Sequence, residues 1–569
     1  MTANSVASLP PLVKPAAPAP ALGPLPKDDA PPAPVKLGRI VSVSGSQAIA
    51  VLSADNSQEK QRVEIGTLVK VATPLATVVG IVSGLSSPMP GTSSESDVNL
   101  AELTLAGEIV IHERTGKPGF RRGVSSSPAI GDAIASASRQ ELECVYNQPN
   151  AQTIEVGTLF QDKGVAANLL LEELFGKHFL VVGSTGSGKS CAIKAIMRQV
   201  LKTHDNAHIV ILDVHNEYGD AFGAKAECIR PKDLHLPFWL LNFEELCTVL
   251  TSNDSHHDAE VEILAEAILA AKRRYFRDPV PSSRVRRMGE TSAKITVDTP
   301  CPFLLSNVVS FIDEQLGKLE RAQALLPYRR IKSRIEALVG DARYGFMFGT
   351  VSVEDNMVEV LARVFRMPAD GKPITVIDLA PVPSEILDVV ISLIARLSMD
   401  LGIWSDGKMP LHLVCEEAHR YAPAVESNRF LPTRRSLARI AKEGRKYGVS
   451  LALVTQRPSE LDTTIISQCS KIIAMRLSTD RDQDVIRANA NEGTLQLLDF
   501  LPLLGEREAI VLGQGVPMPM RIRFHELHGG HAPPNLNQGF SAAWKNNKID
   551  RNQLEAVVAR WRTNGQARD

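Results

Sequence analysis

A glycine-rich segment of eight residues carries the clearest chemical signal in the chain. Residues 183–190 read Gly-Ser-Thr-Gly-Ser-Gly-Lys-Ser, the pattern GxxxxGK[ST] in full, between the apolar run HFLVVG and the helical segment CAIKAIMRQVL. In this context the backbone amides wrap phosphates, the lysine reaches the β- and γ-phosphates, and the serine hydroxyl binds Mg²⁺. The pattern predicts a site for ATP and Mg²⁺ made by Gly183, Ser184, Thr185, Gly186, Ser187, Gly188, Lys189, Ser190 and Cys191.

Two adjacent carboxylates follow another apolar run. The segment LHLVCEEAHR places Glu416 and Glu417 at the predicted end of a buried strand. Ligands of α/β sheets collect at the carboxyl ends of strands, so we expect both side chains to face the nucleotide. Glu416 is the expected metal-side residue, acting through a water because aspartate is usual there, and Glu417 is the expected general base. A solvated carboxylate pair is the alternative.

Polar residues near a third apolar run provide further candidates. The run VSLALVTQ ends with Gln456, which can sense the γ-phosphate, position water or simply cap the strand. The preceding segment SLARIAKEGRKYGVS is basic and helical in pattern. Arg445 is our first candidate for an arginine finger presented to the next subunit, and Arg439 is the second. A solvated basic helix face is the alternative for both.

The segment DVHNEYGD, at 213–220, ends the strand predicted after the glycine-rich segment. Asp213 and Glu217 should therefore also point towards the nucleotide side of the sheet. They could support the metal ligands or contact a neighbouring subunit. Capping of a turn is an equally good explanation.

A parallel sheet is needed to bring these groups together. Continuous apolar runs predict strands buried on both faces, with helices as the covering layers. The runs lie at 178–183, 208–214, 374–380, 411–419, 449–456 and 471–477. We therefore predict an α/β P-loop ATPase domain with a parallel-rich sheet.

The rest of the chain differs in pattern from this sheet domain. Ten of the 36 prolines fall between Pro10 and Pro34, which is typical of a disordered tail. Short β-branched runs after it predict a small β-barrel, and runs of helical period predict a helical insertion in the sheet domain. The predicted units are a tail at 1–36, a barrel at 37–150, an ATPase core at 151–528 with its insertion at about 243–350, and a C-terminal extension at 529–569.

Composition limits the class of protein. The 569 residues include 63 basic and 64 acidic side chains, a formal charge of −1, which excludes a uniformly basic nucleic-acid protein but not a local basic channel. No run approaches the ~18 apolar residues of a membrane span. The N-terminus lacks the pattern of a secretory signal, and the seven cysteines contain no CxxC. We expect a cytoplasmic protein without a membrane association.

Two basic segments are candidates for contacts with DNA phosphates. One contains Arg429, Arg434 and Arg435, and the other is the stretch 272–294, which has eight basic residues against two acidic ones. Each neutralised phosphate would add close to one unit to the salt dependence of binding. A solvated face or a protein-contact surface is at least as good an explanation.

Taken together, these motifs resemble the HerA family of hexameric DNA translocases, within the wider HerA/FtsK superfamily of RecA-like ATPases. The matching segments occur in family order: GSTGSGKS at 183–190, DVHNEYGD at 213–220, EEAHRYAP at 416–423, IAKEGRKYGVSLALVTQRPSELD at 440–462 and GGHAPP at 529–534. The N-terminal β-region is similar to the HAS-barrel of that family. The resemblance covers roughly 38–550, so the Pro/Ala tail lies outside it, and Glu416 departs from the usual aspartate.

The resemblance implies a homohexameric ring around double-stranded DNA, with ATP bound between subunits. It also implies an effector docked on the barrel face: a NurA-like nuclease, or in bacterial anti-phage defence a Sir2-like or other nuclease protein. The expected function is thus an ATP-driven DNA translocase or helicase in DNA repair or defence. A ring scaffold whose nucleotide state switches an effector without processive translocation remains the alternative, and a conjugation or secretion motor is a third reading.

Overall fold

The computed structural model describes most of the chain between Lys36 and Arg562. The described residues are 36–53, 63–74, 76–87, 99–111, 116–147, 151–252, 254–277, 295–318, 322–349, 353–424, 431–490, 495–527 and 551–562. The predicted Pro/Ala tail lies outside these residues except for Lys36, and so does most of the predicted C-terminal extension.

Seven antiparallel strands form the N-terminal region. They are β1 (Lys36–Ser44), β2 (Gln47–Leu52), β3 (Leu68–Ala72), β4 (Thr77–Ser86), β5 (Leu100–Ile111), β6 (Pro118–Arg122) and β7 (Ala133–Ser136). Six of them close a barrel in the order β2-β1-β7-β3-β4-β5, because β5 pairs back with β2, and β6 extends the sheet beyond β5. Small and β-branched side chains fill this narrow barrel, among them Ala50, Val69 and Val78.

Eleven strands form the second sheet. They are β8 (Thr153–Leu159), β9 (Ala166–Leu170), β10 (His178–Val182), β11 (Ile209–Asp213), β12 (Ala226–Ile229), β13 (Ile374–Asp378), β14 (Leu411–Cys415), β15 (Val449–Thr455), β16 (Cys469–Ala474), β17 (Glu508–Gly513) and β18 (Met520–Phe524). Their order is β12-β13-β11-β14-β15-β10-β16-β17-β18-β8-β9. The pairings from β12 to β16 are parallel, and those from β16 to β9 are antiparallel.

The helices cover both faces of this sheet. They are α1 (Arg139–Tyr146), α2 (Leu171–Phe175), α3 (Lys189–Val200), α4 (Phe243–Leu250), α5 (His257–Arg277), α6 (Leu305–Leu316), α7 (Ala322–Gly340), α8 (Gly345–Phe348), α9 (Met357–Phe365), α10 (Ser384–Trp404), α11 (Leu431–Glu443), α12 (Thr463–Ile466), α13 (Asp480–Ala488), α14 (Leu495–Leu498) and α15 (Arg551–Arg562). None of these helices is long and apolar enough to cross a membrane.

The central strand β10 shows why continuous apolar runs mark this sheet. All five of its residues are buried, and successive side chains point to opposite faces. Leu180 and Val182 pack into one hydrophobic cluster, whereas Phe179 and Val181 pack into the other. A strand covered on both faces has no solvent side, so its sequence does not alternate.

The predicted fold class is confirmed. A mostly parallel sheet with helices on both faces follows a small β-barrel, and the described residues between 243 and 349 contain helices and turns but no strand. The sequence patterns did not identify β8, β9, β17 and β18, which extend the parallel sheet on one side through antiparallel pairs.

Candidate functional site

The phosphate-binding loop connects β10 to α3. Gly188 adopts a positive φ of 108° directly before the first residue of the helix, a conformation that side chains rarely adopt. A Cβ at Gly183 would lie 2.5 Å from Ser187 Oγ. These two glycines let the loop close tightly around the N-terminus of α3, where free backbone amides favour an anion.

Polar groups inside the loop are poised for phosphate. Lys189 is buried, and its Nζ donates to the carbonyls of Gly183 and Ser184 at 2.9 and 3.4 Å. Ser187 Oγ is buried without a hydrogen-bond partner. A buried ammonium held only by carbonyls and a buried unpartnered hydroxyl both gain from an anionic ligand. Cys191 is half-buried in the first turn of α3.

The turn after β11 contacts the loop. Asp213 is fully buried, and its carboxylate accepts backbone N–H groups from Glu217 at 3.0 Å and from Tyr218 at 2.9 Å. Burial raises the pKa of Asp213, although these amides oppose the rise. The Ser190 hydroxyl donates to Glu217 Oε2. Asp213 thus caps the turn, and Glu217 is the residue that reaches the loop.

Glu416 lies directly after β14, but it is enclosed by protein. Only 2% of its surface is exposed, and Tyr218 Oη donates to its Oε2 at 2.8 Å. Tyr421 Oη donates to its main-chain carbonyl at 2.9 Å. Burial, together with the nearby carboxylates of Glu217 and Glu417, raises the pKa of Glu416 to about 8, although the hydrogen bond from Tyr218 opposes the rise. The prediction that Glu416 lies on the metal side is not tested by these contacts.

Glu417 has an unusual backbone for a glutamate, with φ 50° and ψ 46°. Such left-handed conformations of residues other than glycine store strain and cluster at functional sites. Its Oε2 is buried without a hydrogen bond, although His419 Nδ1 lies 3.2 Å away. His419 Nδ1 is also 3.0 Å from Thr455 Oγ1, and burial lowers the pKa of this imidazole. A carboxylate oxygen without a donor is suited to accept a proton from water.

Gln456 follows β15 and contacts the phosphate-binding loop directly. Its Oε1 accepts a hydrogen bond from the Thr185 hydroxyl at 2.6 Å. Because β15 pairs with β10, the carboxyl ends of the two strands lie side by side. Gln456 is therefore close enough to respond to a change in the conformation of the phosphate-binding loop.

The two candidate arginine fingers lie away from this site. Arg445 belongs to the 3₁₀ turn Gly444–Tyr447, directly before β15, and it is exposed. It lines an open cleft of about 670 Å³ with Lys442, Lys446 and Tyr447. Arg439, on α11, is exposed and lies 3.7 Å from Asp400. Arg445 is thus at the amino edge of the sheet, whereas the loop is at the carboxyl edge.

Two arginines that the sequence analysis did not select flank the loop. The carbonyl of Arg476, after β16, accepts the Ser184 N–H at 2.7 Å. The backbone N–H of Arg507 donates to the Ser187 carbonyl at 2.9 Å, with φ at 63°. Arg476 lies inside the run predicted at 471–477, and its position near the carboxyl end of that run could have suggested it. Arg507 comes from a distant antiparallel hairpin, and no local signal marks it.

The predicted DNA contacts are only partly described. Lys272 is buried, and its Nζ donates to the carbonyls of Val297 and Thr299 at 2.6 and 2.7 Å. Its inclusion in the basic DNA-contact stretch was therefore wrong, because its ammonium group is buried and bonded to two main-chain carbonyls. Arg435 is exposed and pairs with Glu244, while Arg434 lies 3.7 Å from Asp462. Arg429 and residues 278–294 lie outside the described residues.

The loop has the groups that a magnesium nucleotide requires. Ser190 offers a hydroxyl oxygen, Glu217 and Glu416 offer carboxylates nearby, and Lys189 offers a positive charge for phosphate. Hard oxygen donors of this type are those that Mg²⁺ prefers. Bound Mg²⁺ neutralises charge on the phosphates during transfer. A parallel sheet with this loop and carboxylates at neighbouring strand ends defines a P-loop ATPase.

Comparison with known proteins shows which helicases this chain resembles. Residues 154–398 match the family model described as "Helicase HerA, central domain". The DNA double-strand break repair helicase HerA of Pyrococcus furiosus is 25% identical over 474 residues, which cover 75% of this chain and 79% of that protein. The HerA helicase of Sulfolobus acidocaldarius is 25% identical over 73% of this chain and 78% of its own. The chain is thus similar to HerA helicases over about three quarters of its length, and it is an ATPase.

Among solved structures, VirB4 of Thermoanaerobacter pseudethanolicus is similar with a TM-score of 0.47 and 14% identity. The similarity covers 68% of this chain and 99% of VirB4.

Proposed function

We propose that the protein is an ATP-driven DNA translocase of HerA type that acts on double-stranded DNA as a homohexameric ring. In this proposal it works with an effector, a NurA-like nuclease or a Sir2-like or other nuclease protein, in DNA repair or anti-phage defence. Its similarity to HerA helicases and its P-loop site support the motor. The names of the Pyrococcus and Sulfolobus relatives support the action on DNA.

The single observation that supports a ring is the separation of Arg445 from the phosphate-binding loop of the same subunit. The seven residues of β15 lie between Arg445 and Gln456, about 20 Å of strand. Arg445 at one edge therefore cannot complete the site at the other edge of the same subunit. A neighbour that packs its amino edge against this carboxyl edge would supply the missing charge.

Within each site, the proposed roles follow from the contacts. Lys189 and the loop amides hold the phosphates, and Ser190 takes part in holding Mg²⁺. Glu417 accepts a proton from the attacking water, and the water oxygen bonds to the γ-phosphorus. The bond from the γ-phosphorus to the bridging oxygen breaks at the same time, and that oxygen keeps the electron pair as part of ADP. Gln456 senses the γ-phosphate through the loop residue Thr185. Inorganic phosphate is released first, and ADP remains in the site.

The test is steady-state ATP hydrolysis with and without linear duplex DNA at low and moderate salt. Stimulation by DNA that decreases with salt supports a motor that contacts phosphates. The Lys189→Ala variant should lose hydrolysis, whereas Lys202→Ala, an exposed lysine just beyond α3, should retain it. Displacement of a triplex-forming strand from the duplex measures translocation, and mass measurement of the purified ring tests the hexamer.

One observation favours the scaffold alternative. Arg122 of β6 donates to the carbonyls of Pro517 and Val516 at 2.5 and 2.8 Å, in the connection between β17 and β18. Since Gly513 at the end of β17 pairs with Lys471 at the start of β16, the barrel is joined to the amino edge of the sheet, opposite the loop and on the side of Arg445. Hydrolysis that is indifferent to DNA but increases with a bound effector would favour this function over translocation.

A further inference from the structure

Ser190, the serine expected to face Mg²⁺, is hydrogen-bonded to a carboxylate from the turn after β11. Ser190 donates its hydroxyl hydrogen to Glu217, in the turn after β11. With this hydrogen committed, the lone pairs of Ser190 Oγ are left to face a cation. Carboxylates that orient metal ligands in this way also raise the ability of the ligand to bind the metal.

The turn that carries Glu217 is fixed by its own backbone. Asp213 accepts the N–H groups of Glu217 and Tyr218, so the position of the Glu217 backbone is set by a buried carboxylate. The Tyr218 side chain is fully buried and reaches Glu416 on the neighbouring strand β14. The turn therefore holds Glu217 against the loop with little freedom.

The side chain of Glu416, in contrast to that of Glu217, is enclosed by protein. Tyrosine hydroxyls occupy both its Oε2 and its main-chain carbonyl, and 2% of the residue is exposed. Glu217 is only partly buried, so its carboxylate can also meet solvent. The carboxylate beside Ser190 Oγ is therefore that of Glu217, whereas the carboxylate of Glu416 is enclosed by protein.

We propose that Glu217 is the metal-side carboxylate of this ATPase, acting through Ser190, and that Glu416 is a positioning residue held by Tyr218. This moves the metal-side role from the strand β14 to the turn after β11. The proposal rests on the proposed function only in that the loop binds a magnesium nucleotide. It requires neither DNA nor translocation.

The test compares nucleotide affinity with and without the metal. The full chain is titrated with a fluorescent ADP analogue (mant-ADP) in Mg²⁺ and in EDTA, and the ratio of the two dissociation constants is the metal-dependent gain. The Glu217→Gln variant should reduce this gain about 10–100-fold, the usual effect of losing a residue that orients a metal ligand. Its affinity in EDTA should match that of the wild type. Glu416→Gln, whose amide oxygen can still accept the hydrogen bond from Tyr218, should lose less of the gain than Glu217→Gln.

Controls separate a metal role from a structural one. Asp220→Asn, an exposed acid in the same turn, is the matched control and should leave both dissociation constants unchanged. In the double variant Ser190→Ala/Glu217→Gln the gain should be no lower than in Ser190→Ala, because Glu217 acts through Ser190. Electron paramagnetic resonance of Mn²⁺ with ADP gives a second readout without turnover.

Three outcomes would overturn the proposal. One is a wild-type metal-dependent gain in Glu217→Gln. Another is loss of affinity in EDTA as well, which would make Glu217 a structural or nucleotide-contact residue. The third is loss of the gain in Glu416→Gln alone. A failure of DNA to stimulate hydrolysis would contradict the translocase but would leave this result unaffected.

Discussion

Tyr218 donates a 2.8 Å hydrogen bond to Glu416 across two adjacent parallel strands, and both residues are buried. The bond joins the turn that contacts Ser190 to the turn that contains Glu417. Two segments that are almost 200 residues apart in sequence thus share one interaction beneath the phosphate-binding loop. The carboxylates of the site are held as a connected group rather than as independent side chains.

Removal of the Tyr218 hydroxyl should destabilise the protein and uncouple the two turns. We expect Tyr218→Phe to lower the free energy of unfolding by about 1–3 kcal/mol, because a buried hydrogen bond is lost. A double-mutant cycle with Glu416→Gln, measured by denaturant unfolding, should give a coupling energy of about 0.5–3 kcal/mol. Additive effects would show that the two residues act separately. Tyr447→Phe, at the other edge of the sheet, is the matched control.

Glu417→Gln should bind ATP but turn over at least ~10²-fold more slowly, the usual scale for a lost general base. The amide cannot accept the proton of the attacking water, whereas its size preserves the left-handed backbone of this turn. Binding of mant-ADP and single-turnover hydrolysis separate the two effects. Near wild-type turnover would remove Glu417 from the role, and Glu359→Gln, an exposed residue of α9, controls for the chemical change.

Arg445→Ala subunits should regain hydrolysis when they are mixed with Lys189→Ala subunits. At a mixed interface, an intact finger from one subunit meets an intact loop in the next, so activity returns although neither variant is active alone. Hydrolysis measured over a series of mixing ratios should pass through a maximum. Absence of rescue at every ratio would contradict a role in trans, and the same mixing with Arg439→Ala tests the second candidate.

Stability in the absence of nucleotide and divalent cations should depend on the ionisation of Glu416. Its pKa is raised from 4.5 to about 8 in the folded protein, so folding favours its protonated form. The contribution of protonated Glu416 to the free energy of unfolding is fully present below pH 4.5 and is lost as the pH rises through about 8. Glu416→Gln has no proton to lose, so its melting temperature should rise relative to the wild type between pH 5 and 8, by an equivalent of up to about 1.4 kcal/mol per pH unit. A constant difference across this range would contradict the raised pKa.

The parallel part of the fold was predictable because its strands are apolar throughout. The strands at 178–182 and 449–455 end within one residue of their predicted ends, and the strand at 411–415 begins where predicted but ends four residues earlier. The polar residues that follow them could therefore be placed at one edge of the sheet, and the structure places Gln456 against Thr185 there. The antiparallel strands β8, β9 and β18 were missed because buried residues alternate with more exposed ones along them, so they form no continuous apolar run.

The contacts within the site could not be predicted from spacing alone. Glu416 and Glu417 are neighbours, yet one is enclosed by two tyrosine hydroxyls and the other has a buried oxygen without a donor. The difference arises because the chain turns into the left-handed region at Glu417. Lys272 illustrates the same limit, since a basic run does not reveal which of its members packs inward.

The strand β15 has Gln456 immediately after one end and the turn of Arg445 immediately before the other. All seven of its residues are buried between layers of side chains. Because such packing resists deformation, we expect a displacement of one end of the strand to be transmitted to the other end. In the ring that we propose, a displacement felt by Gln456 when one subunit loses its γ-phosphate would shift the arginine offered to the next nucleotide. The subunits would then hydrolyse ATP one after another around the ring in a fixed direction, because hydrolysis in each subunit would set when the next one hydrolyses.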